Sequence, residues 1–321
     1  MIAKKNYLHI YVFSFNRSVF LKNCLRSIAT FAPECSATIV DDGSDDPATK
    51  KVLAEAANLH RIVRPQPMVA TEFKTGGLYF NMNYAFEDAR KQGLRFVLFI
   101  QDDMQFVRKI SEEDVKNIEQ YFDNTPNSFQ LHTCFFKEAY RKYDEKRMTP
   151  DATNTFYIRE KFAGPGNRGF SAVGIFDTRR FFETLGQLEV GEGRNERKVL
   201  QSDFLMGFYA YPFMAWLPYP IAYRGKTRRL SHRIVDFLAG SGFHPIQYMP
   251  PDEHAAFLSR PLTKLPVAER FLVAPSAPKA KLWGPGGIEN IEYRGGWRKT
   301  LGFWLLRVEA ALVRRYKKWV E

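Results

Sequence analysis

The sequence predicts an α/β protein with a mainly parallel, doubly wound sheet, and three observations lead there. Strand-like apolar runs alternate with helix-periodic stretches through the first hundred residues. Two runs end in adjacent aspartates: Val40-Asp41-Asp42-Gly43-Ser44 and Ile100-Gln101-Asp102-Asp103. The run Phe96-Val97-Leu98-Phe99-Ile100 lacks polar alternation, as expected of a strand covered on both faces.

The first strand reads Leu8 to Phe13, followed by Ser14-Phe15-Asn16-Arg17-Ser18. Val19 to Ala29 then places Phe20, Leu21, Cys24, Leu25 and Ile28 at helical spacing. A second strand, Ala37 to Val40, runs into Asp41-Asp42-Gly43-Ser44-Asp45-Asp46-Pro47, a turn and a helix start. Helix, loop, helix and the Phe96 strand follow. This alternation argues for parallel strands. Ser14 and Asn16, Asp41 and Asp42, and Asp102 and Asp103 then share the carboxyl edge, where open α/β sheets bind ligands. Adjacent carboxylates repel, so a cation is needed beside them. A divalent ion carrying a phosphorylated substrate would meet that need. Each pair also reads as a cap or turn when taken alone.

Taken together, Phe13-Ser14-Phe15-Asn16-Arg17, Val40-Asp41-Asp42-Gly43-Ser44 and Gln101-Asp102-Asp103 resemble the signature of family 2 glycosyltransferases with the GT-A fold. Gly77, Asn83 and Ala89 stand at the family spacing just before the third motif. The resemblance covers residues 6–105 closely and 160–235 loosely. It implies a GT-A-type, Rossmann-like three-layer sandwich and a metal-dependent, inverting transfer of a sugar from a UDP-, GDP- or dTDP-sugar. The acceptor would be a hydroxyl of a saccharide or lipid-linked molecule, in surface polysaccharide, lipopolysaccharide or glycolipid synthesis. By the same resemblance, Phe13, Ser14, Phe15, Asn16, Arg17, Asp41, Asp42, Asn83 and Asp102 would bind the nucleotide sugar. Phe15 would lie near the base, Asp41 would accept a hydrogen bond from it, and Asp103, with Asp102, would ligate Mn²⁺ or Mg²⁺. The family often has a further acid two residues before the first of these aspartates, where this chain has Ile100.

The catalytic base follows Gly174 to Gly186 in the family pattern, and Ser202-Asp203 stands where a Glu-Asp pair is common. Asp203 is therefore the base candidate. It also reads as a helix N-cap, and Asp177 as a turn residue or weaker alternative. His232 would be a third metal ligand or an exposed histidine. The Gly164-Pro165-Gly166-Asn167-Arg168-Gly169 loop would cover the site or lie on the surface. Arg224, Lys226, Arg228 and Arg229 would grip a diphosphate or an anionic acceptor.

Composition agrees with an enzyme of this kind. Three cysteines, Cys24, Cys35 and Cys134, stand at no metal spacing and suggest a reducing compartment. Met1 to Asn6 runs straight into the first strand without a leader pattern, and no apolar stretch reaches the ~18 residues of a bilayer span. The expected location is the cytoplasm, with peripheral attachment to the inner membrane face. Residues 1–235 would form the catalytic domain, divided into a nucleotide-sugar half (1–105) and an acceptor half (106–235). Residues 236–296 would be a Pro/Gly-rich extension, and 297–321 a basic amphipathic helix. That last segment has seven Lys/Arg against two Glu, within a net charge of +12 for the chain. Leu301, Trp304, Leu305, Val308, Leu312, Tyr316 and Trp319 form one stripe on it. The stripe would dock on an anionic leaflet or pack on the catalytic domain.

Two other functions compete. A sugar-nucleotide nucleotidyltransferase would want a glycine-rich basic loop after the first strand, where this chain has Ser14-Phe15-Asn16-Arg17. A non-catalytic nucleic-acid binder would suit the net charge, but carboxylates at the strand tips oppose it.

Overall fold

The computed structural model describes residues 8–65, 77–151, 153, 155–161, 169–221, 230–279, 283, 290–292 and 294–320, with side chains omitted at 310 and 313–320. In chain order the strands are β1 (His9–Ser14), β2 (Ser36–Asp41), β3 (Arg61–Val63), β4 (Phe96–Gln101), β5 (Met104–Phe106), β6 (Ser128–His132), β7 (Met148–Pro150), β8 (Phe156–Arg159), β9 (Gly174–Asp177), β10 (Leu205–Tyr209) and β11 (Met214–Trp216). The helices are α1 (Ser18–Phe31), α2 (Pro47–Ala56), α3 (Leu78–Lys91), α4 (Glu112–Asn124), α5 (Arg141–Glu145), α6 (Thr178–Thr184), α7 (Glu192–Leu200), α8 (Leu230–Ala239), α9 (Pro251–Leu258), α10 (Ala268–Phe271) and α11 (Gly296–Val320).

Nine strands form one sheet in the order β3-β2-β1-β4-β9-β6-β10-β8-β7, and β5 pairs with β11 beside it. The pairs β3-β2, β2-β1, β1-β4 and β6-β10 are parallel. β9 runs against β4 and β6, and β8 against β10 and β7. All strands of this sheet except β8 and β9 therefore point the same way, as the mainly parallel expectation requires. The architecture is an α/β sandwich of three layers.

Alternation along β1 explains those layers, because successive side chains leave a strand on opposite faces. Ile10 and Val12 join Leu21, Cys24, Ile28, Leu98, Ile118 and Phe122, under α1 and α4. Tyr11 and Phe13 join Phe86, Phe99, Phe176 and Phe181, under α3 and α6. Each such side chain contributes about 1.5–3 kcal/mol on burial.

The proline-rich stretch after α8 is built into this body. Ile246, Phe257, Ala268 and Leu272 pack on Phe20, Phe135 and Leu217. The Gln105 amide fixes the stretch by donating to the Ile246 carbonyl (2.6 Å) and accepting from its N–H (3.1 Å). The long helix α11 packs on α8 through Val235, Leu238, Ala239, Phe303 and Leu306. Among the described residues, no helix is long and apolar enough to cross a membrane.

Candidate functional site

The carboxyl ends of β1, β2 and β4 lie side by side, because β1 pairs in register with both neighbours. The backbone then turns in a concerted way. The Asp42 N–H donates to the Ser14 carbonyl, and the Asp102 N–H donates to the Phe13 carbonyl, at 2.9 and 3.0 Å. All three predicted motifs therefore meet at one edge.

Asp102 is fully buried. One of its oxygens accepts from the Phe15 N–H at 3.2 Å, and the Arg17 guanidinium lies 2.5 Å from the other. Arg17 also donates to Asp103 at 2.9 Å and to the Ile221 carbonyl at 3.1 Å. One cation thus bridges both members of the acidic pair. Burial pushes the Asp102 carboxyl up to about 6; Arg17 pulls it down and Asp103 pushes it up further. Burial by itself would lower the Arg17 pKa, but the two carboxylates outweigh it and raise it, so the guanidinium stays charged. The other oxygen of Asp103, Oδ1, is buried without a hydrogen-bond donor. Sequence reasoning asked for a cation here, and the structure supplies Arg17.

The Asp41-Asp42 tip is different. Asp41 accepts from the Ser44 N–H (3.1 Å), the Ser44 hydroxyl (2.5 Å) and Arg64 (3.0 Å). Asp42 accepts from the Gly77 N–H (3.0 Å) and the Asn81 amide (3.1 Å). A side chain at 77 would place its Cβ 2.2 Å from Asp42 Oδ1, which is why glycine stands there. Asn16 takes a left-handed conformation (φ 50°), which asparagine tolerates better than most residues. Its side chain ties the N–H groups of Asp45 and Asp46, both at 3.0 Å. Phe13 faces the core against Phe99, so its backbone alone reaches the site, as its carbonyl does toward Asp102. Ser14 is buried beside Asp102.

Three expected site residues lie elsewhere. Both ends of the Asn83 amide engage the Leu188 backbone, at 2.8 and 2.9 Å, so Asn83 anchors the loop before α7. His232 sits on α8 with Nε2 3.7 Å from Glu309 of α11, in place of a position beside Asp103. Asp203 is exposed and precedes β10, which runs in the same sense as β4. It therefore lies at the amino edge of the sheet, opposite the acidic pair. The strand order, which one sequence does not reveal, is the reason. Asp177 caps α6 through the Arg180 N–H. The basic cluster Arg224, Lys226, Arg228 and Arg229 and the loop 164–168 lie outside the described residues.

What sequence reasoning missed is the rest of the cavity that Asp103 lines. A cavity of about 490 Å³ opens from Asp103 between Tyr79, His132, Lys137, Glu192, Glu196 and Trp216. The Lys137 ammonium lies over the Trp216 ring at 4.8 Å. The His132 ring centroid is 5.6 Å from that of Trp216. Burial, then Arg159 and Lys137, drive the His132 pKa down to about 3, so the ring is neutral. Burial, then Glu192 and Glu196, hold the Tyr79 phenol protonated. The only signal for α7 was its acidic residues on a polar helix, which any solvated helix shows.

The two carboxylates of the acidic tip, one with an orphaned buried oxygen, fit a hard cation whose remaining ligands are phosphate oxygens and water. Arg17 holds that place, and the described residues offer no third His, Cys, Asp or Glu ligand.

No curated protein matched the chain. Among solved structures, residues 1–349 of TarS from S. aureus are 16% identical with a TM-score of 0.44, the match covering 65% of this chain and 60% of that one. The mannosyltransferase PcManGT from Pyrobaculum calidifontis, solved with GDP-Man and Mn²⁺, is 13% identical with a TM-score of 0.40, over 95% of this chain and 75% of that one. The chain thus spans about 60% of the TarS structure it matches. The glycosyl transferase family 2 model matches residues 9–179, more than half of the 321 residues. Those residues contain β1, the acidic tips of β2 and β4, and His132 of the cavity wall, and on that match this chain belongs to glycosyl transferase family 2.

Proposed function

We propose that the chain transfers a hexosyl group from a nucleoside diphosphate sugar to a hydroxyl of a saccharide or lipid-linked acceptor, with inversion, in the cytoplasm and in the synthesis of a surface polysaccharide or glycolipid. The observation that carries this reading is the buried Asp102-Asp103 pair, bridged by Arg17 and opening onto a cavity that Glu192 and Glu196 also line.

In this reading the nucleoside lies over Phe15 near Asp41, and the diphosphate reaches Asp102 and Asp103. Those two carboxylates would hold Mn²⁺ or Mg²⁺, which when bound neutralises charge developing on the leaving diphosphate. Arg17 is released from the carboxylates and pairs with phosphate oxygens, for which a guanidinium is well suited. Trp216 gives the sugar a flat apolar face, with Lys137 fixed above the ring. A base must stand across the cavity from the diphosphate, so that the acceptor attacks the anomeric carbon from the opposite side. Glu196, half-buried, and Glu192 on α7 line the same cavity as Asp103 and are the candidates for that base. Asp203, at the far edge of the sheet, has no part in it. General-base assistance contributes ~10²–10⁴-fold.

The test is nucleoside diphosphate release from UDP-, GDP- and dTDP-sugars, with Mn²⁺ or Mg²⁺ and a panel of saccharide acceptors. Glu196→Gln or Glu192→Gln should lower kcat by ~10²-fold or more while KM for the donor holds. Unchanged kcat in both variants would remove α7 from the chemistry.

A further inference from the structure

The packing of α11 on α8 leaves one side of that pair strongly apolar. On α11, the α8-facing side carries Phe303, Leu305, Leu306 and Glu309, and a second stripe stays exposed: Trp297, Leu301, Trp304, Val308 and Leu312. On α8, Val235, Leu238 and Ala239 are buried, while Leu230, Ile234 and Phe237 stay exposed. Phe237 is 82% exposed, Leu230 73% and Trp304 59%. Monomeric proteins rarely leave an apolar patch of this extent uncovered.

The two stripes fall on the same side. Ser231 and His232, at the start of α8, meet Glu309, whereas Val235, Leu238 and Ala239 pack with Phe303 and Leu306. The helices are therefore antiparallel. At about 100° per residue, each exposed stripe sits about 120° from the helix–helix contact, in the same rotational sense along its own axis. Reversing one helix reverses that sense in space, so the stripes converge on one face.

Charge says what this face meets. On the described part of the two helices, the exposed ionic groups are Arg233, Arg298, Lys299 and Arg307. The two acids, Asp236 and Glu309, are turned inward; Asp236 is buried, and Glu309 engages Ser231 and His232. Tryptophans among basic residues around an apolar stripe match the headgroup boundary of an anionic bilayer. A protein partner would need compensating acids at its own rim, whereas an anionic leaflet presents them everywhere.

We infer that α8 and α11 together form a docking face for an anionic membrane surface. The face is wider than the C-terminal helix, because α8 supplies Leu230, Ile234 and Phe237. It is also tied to the acidic tip: Ile221, nine residues before α8, accepts a hydrogen bond from Arg17. The inference deepens the proposed function toward a lipid-linked acceptor, yet its test needs no sugar nucleotide, so the two stand or fall separately.

The experiment is flotation of the full chain with vesicles of equimolar phosphatidylglycerol and phosphatidylcholine, and with phosphatidylcholine alone. The wild type should float with the anionic vesicles and release at high salt. Phe237→Ser with Trp304→Ser should weaken partition about tenfold or more at an unchanged melting temperature, since both side chains are exposed. Reversing Arg233, Arg298 and Arg307 to Glu should abolish the preference for anionic lipid. Wild-type protein that stays at the bottom of both gradients would overturn the inference, as would a double variant that floats equally well. A dimer in solution that the double variant disperses, without flotation of the wild type, would instead make the face a contact between two copies and would also overturn it.

Discussion

Asp41-Asp42 and Asp102-Asp103 end the two strands that flank β1, and by sequence they are twins. Their surroundings are not. The first pair accepts from Ser44 beside it and from Arg64, Gly77 and Asn81 farther along the chain. The second receives one backbone N–H and one guanidinium, and keeps an orphaned buried oxygen. Each carboxylate of the first pair has its own set of donors, two or three apiece, and these hold the surrounding loops. The second pair is balanced by one shared guanidinium, which in the proposed function is exchanged for another ligand. Identical dipeptides at equivalent strand tips therefore carry different work, and the surrounding donors tell them apart.

The largest expected effect falls on the second pair. Asp103→Asn should lower sugar transfer by ~10²-fold or more, the scale of removing one preorganised charge from a transition state. Its melting temperature should hold or rise, because like-charge repulsion is relieved. An active Asp103→Asn enzyme would make both pairs structural.

Arg17→Gln should cost about 3–5 kcal/mol, the usual penalty for stripping the partner from buried charges. Added Mn²⁺ or Mg²⁺ should restore part of that loss in a denaturant titration. A variant as stable as wild type, with no response to metal, would show that Arg17 does not balance the pair.

Acid should separate the pair from the rest of the fold. Burial, outweighing the Asp88 carboxylate, holds His9 down to about 4, and burial holds His132 down to about 3. The unfolded chain protonates both below about 6.5, so the stability they contribute is complete above that pH and falls as pH drops toward their folded values. His9 accounts for about 3 kcal/mol of this loss. Asp102, raised to about 6, gains its proton earlier in the folded state and partly offsets it. Denaturation curves at about pH 7 and about pH 4.5 should show falling stability, steeper in Asp102→Asn. A flat profile would contradict the placement of both histidines.

The first pair should give the smaller response. Asp42→Ala removes the acceptor for Gly77 and Asn81 and should cost about 1–3 kcal/mol. Transfer at a temperature where the variant is folded should stay within about threefold of wild type, on the scale of a mutation outside the chemistry. Asp203→Asn should change neither. A large kcat loss in Asp203→Asn with an intact fold would mean that the opposite edge takes part after all.

The sequence was most readable where a pattern repeats. Five apolar residues before Asp102 make a buried central strand whatever lies around them, and Phe20, Leu21, Cys24, Leu25 and Ile28 face one way on any helix. These patterns yield the parallel half of the sheet and its acidic edge. Asp203 shows the limit: its assignment depended on which sheet edge it reaches, and that is decided by β9 running antiparallel between β4 and β6. Asn83 shows another, because a half-buried amide on a helix looks the same whether it meets a ligand or the Leu188 backbone. Glu192 and Glu196 escaped notice because acids on a polar helix ordinarily face water. The stripe on α11 was visible in the sequence, but not that Leu305 would lie against α8 while Trp304 stays exposed, nor that α8 adds a stripe of its own.

The most direct test of the central claim, that Asp102 and Asp103 form the diphosphate end of a donor site, is thermal melting with UDP, GDP, dTDP and CDP, each with and without Mn²⁺, on wild type and Asp103→Asn. A nucleotide at a hundred times its Kd stabilises by about 2.7 kcal/mol, a readily visible shift. The account predicts such a shift for one nucleotide, dependent on Mn²⁺ and absent from the variant. No shift with any nucleotide, or an equal shift in Asp103→Asn, would contradict it.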